Sequence, residues 1–271
     1  MTDDALLAAR YGANAMPTAG EFNDVLRCLL GHRSVRAYLG DPLPPRTLET
    51  LIAAAQSAAT SSNMQVWSVV AVEDAGSKAR LAEVANPNAF IEQAPVVLVW
   101  LADLSRLDRI VIAHGRTLES RDYLESFMVA AIDAALAAQN AVVAAESLGL
   151  GTVYIGALRN DPERVAALLG LPPHVMPVFG MCVGFPDPAR PSAIKPRLPQ
   201  GLVLHRERYA PAAEMQQVAG YDRTLGAFSR SQGMGDVTWT DRIFSRMAVV
   251  KGMTGRDRMR AMMKALGFEL R

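Results

Sequence analysis

One stretch constrains this chain more than any other. Phe127 to Leu148 is dominated by Ala, Val, Ile and Leu, a run too long for a β-strand. A membrane span needs ~20 mainly apolar residues, so length alone would allow one. The stretch also carries Asp133, Gln139, Asn140 and Glu146, which are costly in lipid. The reading that survives is a buried helix, from about Asp122 to Leu148, around which other elements must pack. Gly149 and Gly151 follow it, as a left-handed C-terminal cap requires.

Strands and helices alternate on both sides of this helix. Val96–Ala102 is continuously apolar, the pattern of a strand buried on both faces of a sheet. Trp67–Val72, Thr152–Ile155 and Val175–Val183 read as further strands, although Pro177 is awkward inside the last. Helices are expected at about Glu21–Leu30, from Arg46 to Ala58 through Leu48, Leu51, Ile52 and Ala55, and from Ser77 to Ala85. Asp161-Pro162 opens another helix, with Asp as cap and Pro in the first turn, and Gly170 closes it. Residues 212–229 and 255–267 follow as helices with a polar loop, Ser229–Asp236, after the first. Three segments are therefore expected: 1–20 as a flexible N-terminal arm, 21–210 as the core, and 211–271 as a C-terminal helical extension that needs a further surface, such as a second subunit.

Composition removes several classes of function. The formal charge is +1 and no Lys/Arg cluster stands out, which argues against nucleic acid. Aromatics at 6% are too few for a base-stacking platform. Cys28 and Cys182 lie far apart and outside any C-x-x-C pair, which fits a reducing compartment. The start, Met1-Thr2-Asp3-Asp4, is acidic and not a secretory signal, so a cytoplasmic protein is expected. His32, His114, His174 and His205 have no metal-ligand spacing, so no metal is expected. Gly149-Leu-Gly151-Thr-Val-Tyr154 superficially resembles a dinucleotide loop, but it follows a helix instead of a strand.

Four segments concentrate chemistry. His32-Arg33-Ser34-Val35-Arg36 offers two guanidiniums suited to phosphate or planar acceptors, or else forms a solvated basic turn. Thr60-Ser61-Ser62-Asn63-Met64-Gln65-Val66-Trp67 sets short polar side chains before a strand, for turn hydrogen bonds or for a ligand. In Gly151–Arg159 a strand opens into a loop where Gly156 permits close approach to the backbone. Lys195-Pro196-Arg197 holds two cations apart on a rigid proline, as an anion clamp or a surface loop.

Taken in order, and with Ala144–Gly151 and Tyr154–Arg159 between them, these segments resemble the FMN-dependent nitroreductase family. They are most similar to its branch of NADPH-dependent oxygen-insensitive nitroreductases and NADPH–flavin oxidoreductases, over about residues 25 to 245. The resemblance implies an α+β three-layer fold, a mixed central β-sheet flanked by helices, with the C-terminal extension packing on the partner subunit of a homodimer. It implies bound FMN, NADPH or NADH as electron donor, and ping-pong two-electron hydride transfer to nitroaromatics, quinones or flavins. No catalytic side chain is expected, because the cofactor carries the chemistry.

The family's roles transfer by motif. Arg33, Ser34, Lys195 and Arg197 would hold the FMN phosphate with His32 nearby, and Arg36 would face the N1–C2 edge of the flavin. Asn88 falls where an amide meets the pyrimidine edge. Within Tyr154-Ile155-Gly156-Ala157-Leu158, the Gly156 amide would reach flavin N5. Ser61, Ser62, Asn63 and Gln65 would reach the FMN of the other subunit. Arg230 matches a position that binds the NADPH 2′-phosphate, whereas Gly235 stands where a second arginine is expected and Asp236 adds negative charge, so NADH or mixed use becomes credible. Rival expectations are a dedicated NAD(P)H:FMN reductase feeding a monooxygenase, a non-catalytic flavin-binding protein, or a plain structural α/β protein.

Overall fold

The computed structural model describes residues 1–18, 20–211 and 214–271. The chain forms two compact units: a smaller one, 1–33 with 193–253, and a larger one, 34–192 with 254–271. The helices and strands in chain order are α1 (Asp3–Tyr11), α2 (Asp24–Gly31), α3 (Thr47–Gln56), β1 (Trp67–Val72), α4 (Ala75–Val84), α5 (Ala89–Gln93), β2 (Val96–Asp103) and α6 (Ser105–Ala113). They continue with α7 (Leu124–Ser147), β3 (Gly151–Ile155), α8 (Pro162–Leu169), β4 (Val175–Gly184), α9 (Glu214–Ser231), α10 (Trp239–Met247) and α11 (Met259–Ala265).

In the larger unit the sheet order is β1-β2-β4-β3, and every neighbouring pair is antiparallel. The parallel component of the expected mixed sheet is reduced to one isolated bridge, Ser34↔Thr152. β2 is buried along its whole length, as its continuous apolar sequence requires. Side chains alternate across a strand, so Val97, Val99 and Leu101 pack on one face with Leu81, Ile91 and Val165 from α4, α5 and α8. Val96, Leu98 and Trp100 pack on the other face with Leu51 of α3 and Ala137, Ala138, Ala141 and Ala145 of α7. The result is a three-layer helix–sheet–helix core.

Pro177 is accommodated by a bulge. Trp100 pairs with Phe179 and Leu101 with Pro177, which leaves Val178 as the extra residue between them. Its carbonyl accepts a hydrogen bond from the Arg159 guanidinium at 2.5 Å.

Asp133, Gln139, Asn140 and Glu146 of α7 meet partners from other elements. Asn140 donates to the Ala54 carbonyl at 3.1 Å, Thr152 donates to Glu146 at 3.2 Å, and Tyr154 reaches Gln139 at 3.5 Å. The helix meets the length and composition of a membrane span. Its buried alanines and Asp133, however, face the protein's own core.

Gly149 closes α7 with φ +78°, as a left-handed cap should. Gly151 has a different role from the cap expected of it. It begins β3, and a Cβ there would lie 2.6 Å from a Val35 methyl, so its bare backbone is what admits Val35. Further differences are local. Asp74, and not Ser77, caps α4 by accepting from the Ser77 amide at 2.7 Å. α10 escapes a hydrophobic-period reading, although Thr238 and Asp241 form a capping box at its start.

The two ends of the chain also depart from expectation. Residues 1–20, expected as a loose arm, contain α1, whose Leu6, Leu7 and Arg10 are buried. The periodic inner face is hidden in the sequence because its third member is an arginine. The extension expected from residue 211 divides: α9 and α10 belong to the smaller unit, while α11 returns to the larger. Met263 and Phe268 there enter a cluster with Leu104, Ala130 and Met176, so this last piece packs on its own chain.

Candidate cofactor site

In the smaller unit, the segments carrying His32-Arg33 and Lys195-Pro196-Arg197 are tied together through α1. The Arg10 guanidinium, 5% exposed, donates to the carbonyls of Leu30 (2.7 Å), His32 (2.7 Å) and Lys195 (2.9 Å). The Arg197 amide donates back to the Arg10 carbonyl at 2.7 Å. Pro196 is buried, and its carbonyl accepts from the Tyr221 hydroxyl of α9 at 2.9 Å. The side chains of Arg33 and Arg197 stand exposed.

In the larger unit the same stretch continues as an extended segment. The Val35 amide donates to the Thr152 carbonyl at 2.9 Å, and Val35 is buried over Gly151. Anchoring Val35 leaves Ser34 half-buried and Arg36 exposed on either side of it. Among the described residues no ion pair engages Arg33, Arg36 or Arg197. An unneutralised guanidinium is a donor suited to an anion, and the smaller unit carries two of them, Arg33 and Arg197.

The loop before β1 is strained. Ser62, Asn63 and Gln65 all hold positive φ, at 49°, 55° and 52°. Left-handed non-glycine residues cost ~1–3 kcal/mol each and persist only where the surroundings over-determine them. Here the determinant is Asp133 of α7, 2% exposed, whose carboxylate accepts from the Ser61 amide (3.3 Å) and the Val66 amide (3.3 Å). The Thr60 hydroxyl also donates to Asp133, and its oxygen accepts from the Gln65 amide at 3.0 Å. Gln65 folds back onto Asn63, with its amide donating to the Asn63 side-chain oxygen at 3.2 Å. Ser61 to Gln65 all stay exposed, so the loop is fixed from below and polar above.

At the end of β3, Ile155 and Leu158 are buried, and Gly156 opens a short 3₁₀ turn with Ala157. The first amides of such a turn have no partner within it. Tyr154 is partly exposed, packs edge-on against Phe179 at 5.1 Å, and burial raises its phenol pKa. Asn88 precedes α5 and donates its amide to the Ala85 carbonyl at 2.8 Å, which shapes its own turn. Arg230 is ion-paired with Asp236, so the acid noted in the sequence meets the very arginine it stands near. Among the described residues no group of His, Cys, Asp and Glu could hold a metal ion.

Two residues of this architecture have roles that the sequence does not announce. Asp133 had a visible signal, an acid in the middle of an alanine-rich helix, but its target loop lies far away in the chain. Arg10 had none beyond its place in the last turn of a helix with acids in its first.

The chain matches the nitroreductase family model over residues 29–185 and the model of the family's C-terminal domain over 195–271. It is 37% identical over 230 residues to the FMN reductase (NADPH) of Bacillus subtilis, covering 83% of this chain and 92% of that one. It is 40% identical over 228 residues to the FMN reductase [NAD(P)H] of the same organism, covering 82% and 90% of the two chains. Among solved structures, NfrA2 of B. megaterium superposes with a TM-score of 0.86 at 37% identity, over 92% of this chain and 100% of that one. With the family's two models matched over most of its length, the chain belongs to the nitroreductase family.

Proposed function

We propose that the chain is an FMN-dependent NAD(P)H oxidoreductase that passes electron pairs to small acceptors such as nitroaromatics, quinones or free flavins. The observation that carries this reading is the pair of guanidiniums of the smaller unit without an ion pair, Arg33 and Arg197, on backbone that is pinned by internal hydrogen bonds. A phosphate ester needs several charge-assisted donors on a rigid frame, and the smaller unit provides them in Arg33, Lys195 and Arg197 with His32 beside them. Ser34 of the larger unit adds a hydroxyl.

FMN, when bound, supplies the hydride-accepting and hydride-donating centre. The chain's own groups orient it and set its electrostatics. Arg36 supplies a cation at the pyrimidine edge, where negative charge gathers on reduction. Asn88 would face that edge, and the Gly156 amide would be the donor for N5, with Tyr154, Ile155, Ala157 and Leu158 shaping the backbone around it. Ser61, Ser62, Asn63 and Gln65 contribute polar contacts to the FMN of the partner subunit. Arg230 serves the nucleotide, weakened for NADPH by Asp236.

A homodimer is supported by α7. Leu124, Met128, Ile132 and Leu136 recur at every fourth position and are 44–53% exposed, a contiguous apolar stripe that calls for a covering surface. The location is proposed as cytoplasmic, in keeping with two cysteines that form no disulfide.

The test is the visible absorbance of the purified protein before and after anaerobic NADPH, then NADH. Flavin bands that bleach are the expected result. A protein that stays colourless after reconstitution with FMN overturns the reading. The relatives named FMN reductases favour free flavin as the preferred acceptor. A higher kcat/KM for free FMN than for nitrofurazone and menadione would place the chain as a supplier of reduced flavin.

A further inference from the structure

We infer that Arg10 is a positioning residue for the phosphate end of the cofactor, holding the His32-Arg33 and Lys195–Arg197 segments at a fixed spacing from a helix that lies outside both matched regions. The inference rests on the FMN reading above and assigns a part of the site to α1, which ends well before residue 29, where the first matched region begins.

The geometry is that of a brace. A guanidinium presents five donors in a rigid planar fork. In Arg10 that fork meets the carbonyls of Leu30, His32 and Lys195, all within 2.9 Å. Two of these carbonyls flank Gly31, immediately ahead of Arg33, and the third belongs to a cation of the other segment. The Arg197 amide closes the loop on the Arg10 backbone. Pro196 has no amide hydrogen, and its carbonyl is taken by Tyr221. The backbone of 195–197 is thus held at each residue in turn.

A guanidinium is expensive to bury unless its donors are met. Arg10 is nevertheless almost fully buried, so its role is to satisfy and align these carbonyls instead of meeting solvent. With the backbones aligned, the cations need not be gathered when a phosphate arrives, and the ordering cost of binding falls. Without the fork, three carbonyls lose their donor and the two segments separate in register.

The experiment exploits the difference between FMN and riboflavin, which lacks the phosphate. Each flavin is titrated into the apoprotein and its fluorescence quenching followed, for the natural chain, Arg10→Gln and Arg10→Lys. The natural chain should bind FMN far more tightly than riboflavin. Arg10→Gln should weaken FMN binding roughly tenfold to a hundredfold, the range for lost hydrogen bonds to a charged group, and leave riboflavin binding unchanged. Arg10→Lys keeps the charge without the fork and should fall between. Unchanged FMN binding, or an equal loss for both flavins, overturns the positioning role. Should Arg10→Gln fail to fold, the FMN-to-riboflavin ratio in Arg10→Lys decides in the same way. A natural chain that does not distinguish the two flavins refutes instead the cofactor reading on which the inference stands.

Discussion

The Thr60 hydroxyl donates to the Asp133 carboxylate at 2.5 Å, which ties the loop ahead of β1 to a buried acid in the middle of α7. Two loop amides join the same carboxylate, so one side chain of a core helix governs a strained surface loop. Asp133→Asn keeps the shape but weakens the acceptor and places an amide NH₂ among donors. Stability should fall by about 1–3 kcal/mol, the worth of a hydrogen bond to a charged group. Urea unfolding with an unchanged slope would read this as a lower midpoint. A midpoint equal to that of the natural chain would mean that the loop holds its strain without Asp133.

Arg33→Ala and Arg197→Ala each remove an exposed guanidinium from pinned backbone. Each should release FMN and lower the flavin-to-protein ratio on purification, with little change in thermal stability of the apoprotein, since neither side chain is buried. Full flavin occupancy in both variants would sink the phosphate assignment.

Asp236→Asn tests the pairing with Arg230. Exposed ion pairs are worth ~0–1 kcal/mol, so freeing Arg230 should lower KM for NADPH by up to roughly fivefold. KM for NADH, which has no 2′-phosphate, should not move. Parallel changes for both nucleotides would remove Arg230 from that role.

Gly151→Ala should cost about 1–3 kcal/mol, the usual penalty for overpacking, because the new methyl meets Val35 at 2.6 Å. The damage should spread to the Ser34↔Thr152 bridge, which depends on Val35 staying in place. Thermal unfolding and FMN binding would both register it. An unchanged Tm would show that Val35 can move aside.

Much of the layered core is legible in the sequence, for reasons visible in particular residues. Val96–Ala102 has no polar position, so only a central strand suits it, and β2 is one. Asp161-Pro162 and Gly170 punctuate α8 by local chemistry that tertiary contacts do not override. Elements whose inner face carries charge are harder to see. α1 buries an arginine and α10 is marked by its cap alone. The candidate site shows the same division. Short motifs single out the side chains proposed to touch a ligand, such as Arg33 and Lys195. They are silent on what aligns them, because Arg10 and Asp133 act on backbone distant in sequence.

The apolar stripe on α7 carries a consequence for how the protein behaves in solution. If that face is closed by a second copy, folding and association share one equilibrium, and stability becomes a function of protomer concentration. The melting temperature should then rise with loading, and turnover per chain should decline on dilution even at saturating substrate. A cell that makes little of this chain would hold less than proportional activity, because mass action, and not the chemistry of any one site, would set how many assembled sites exist.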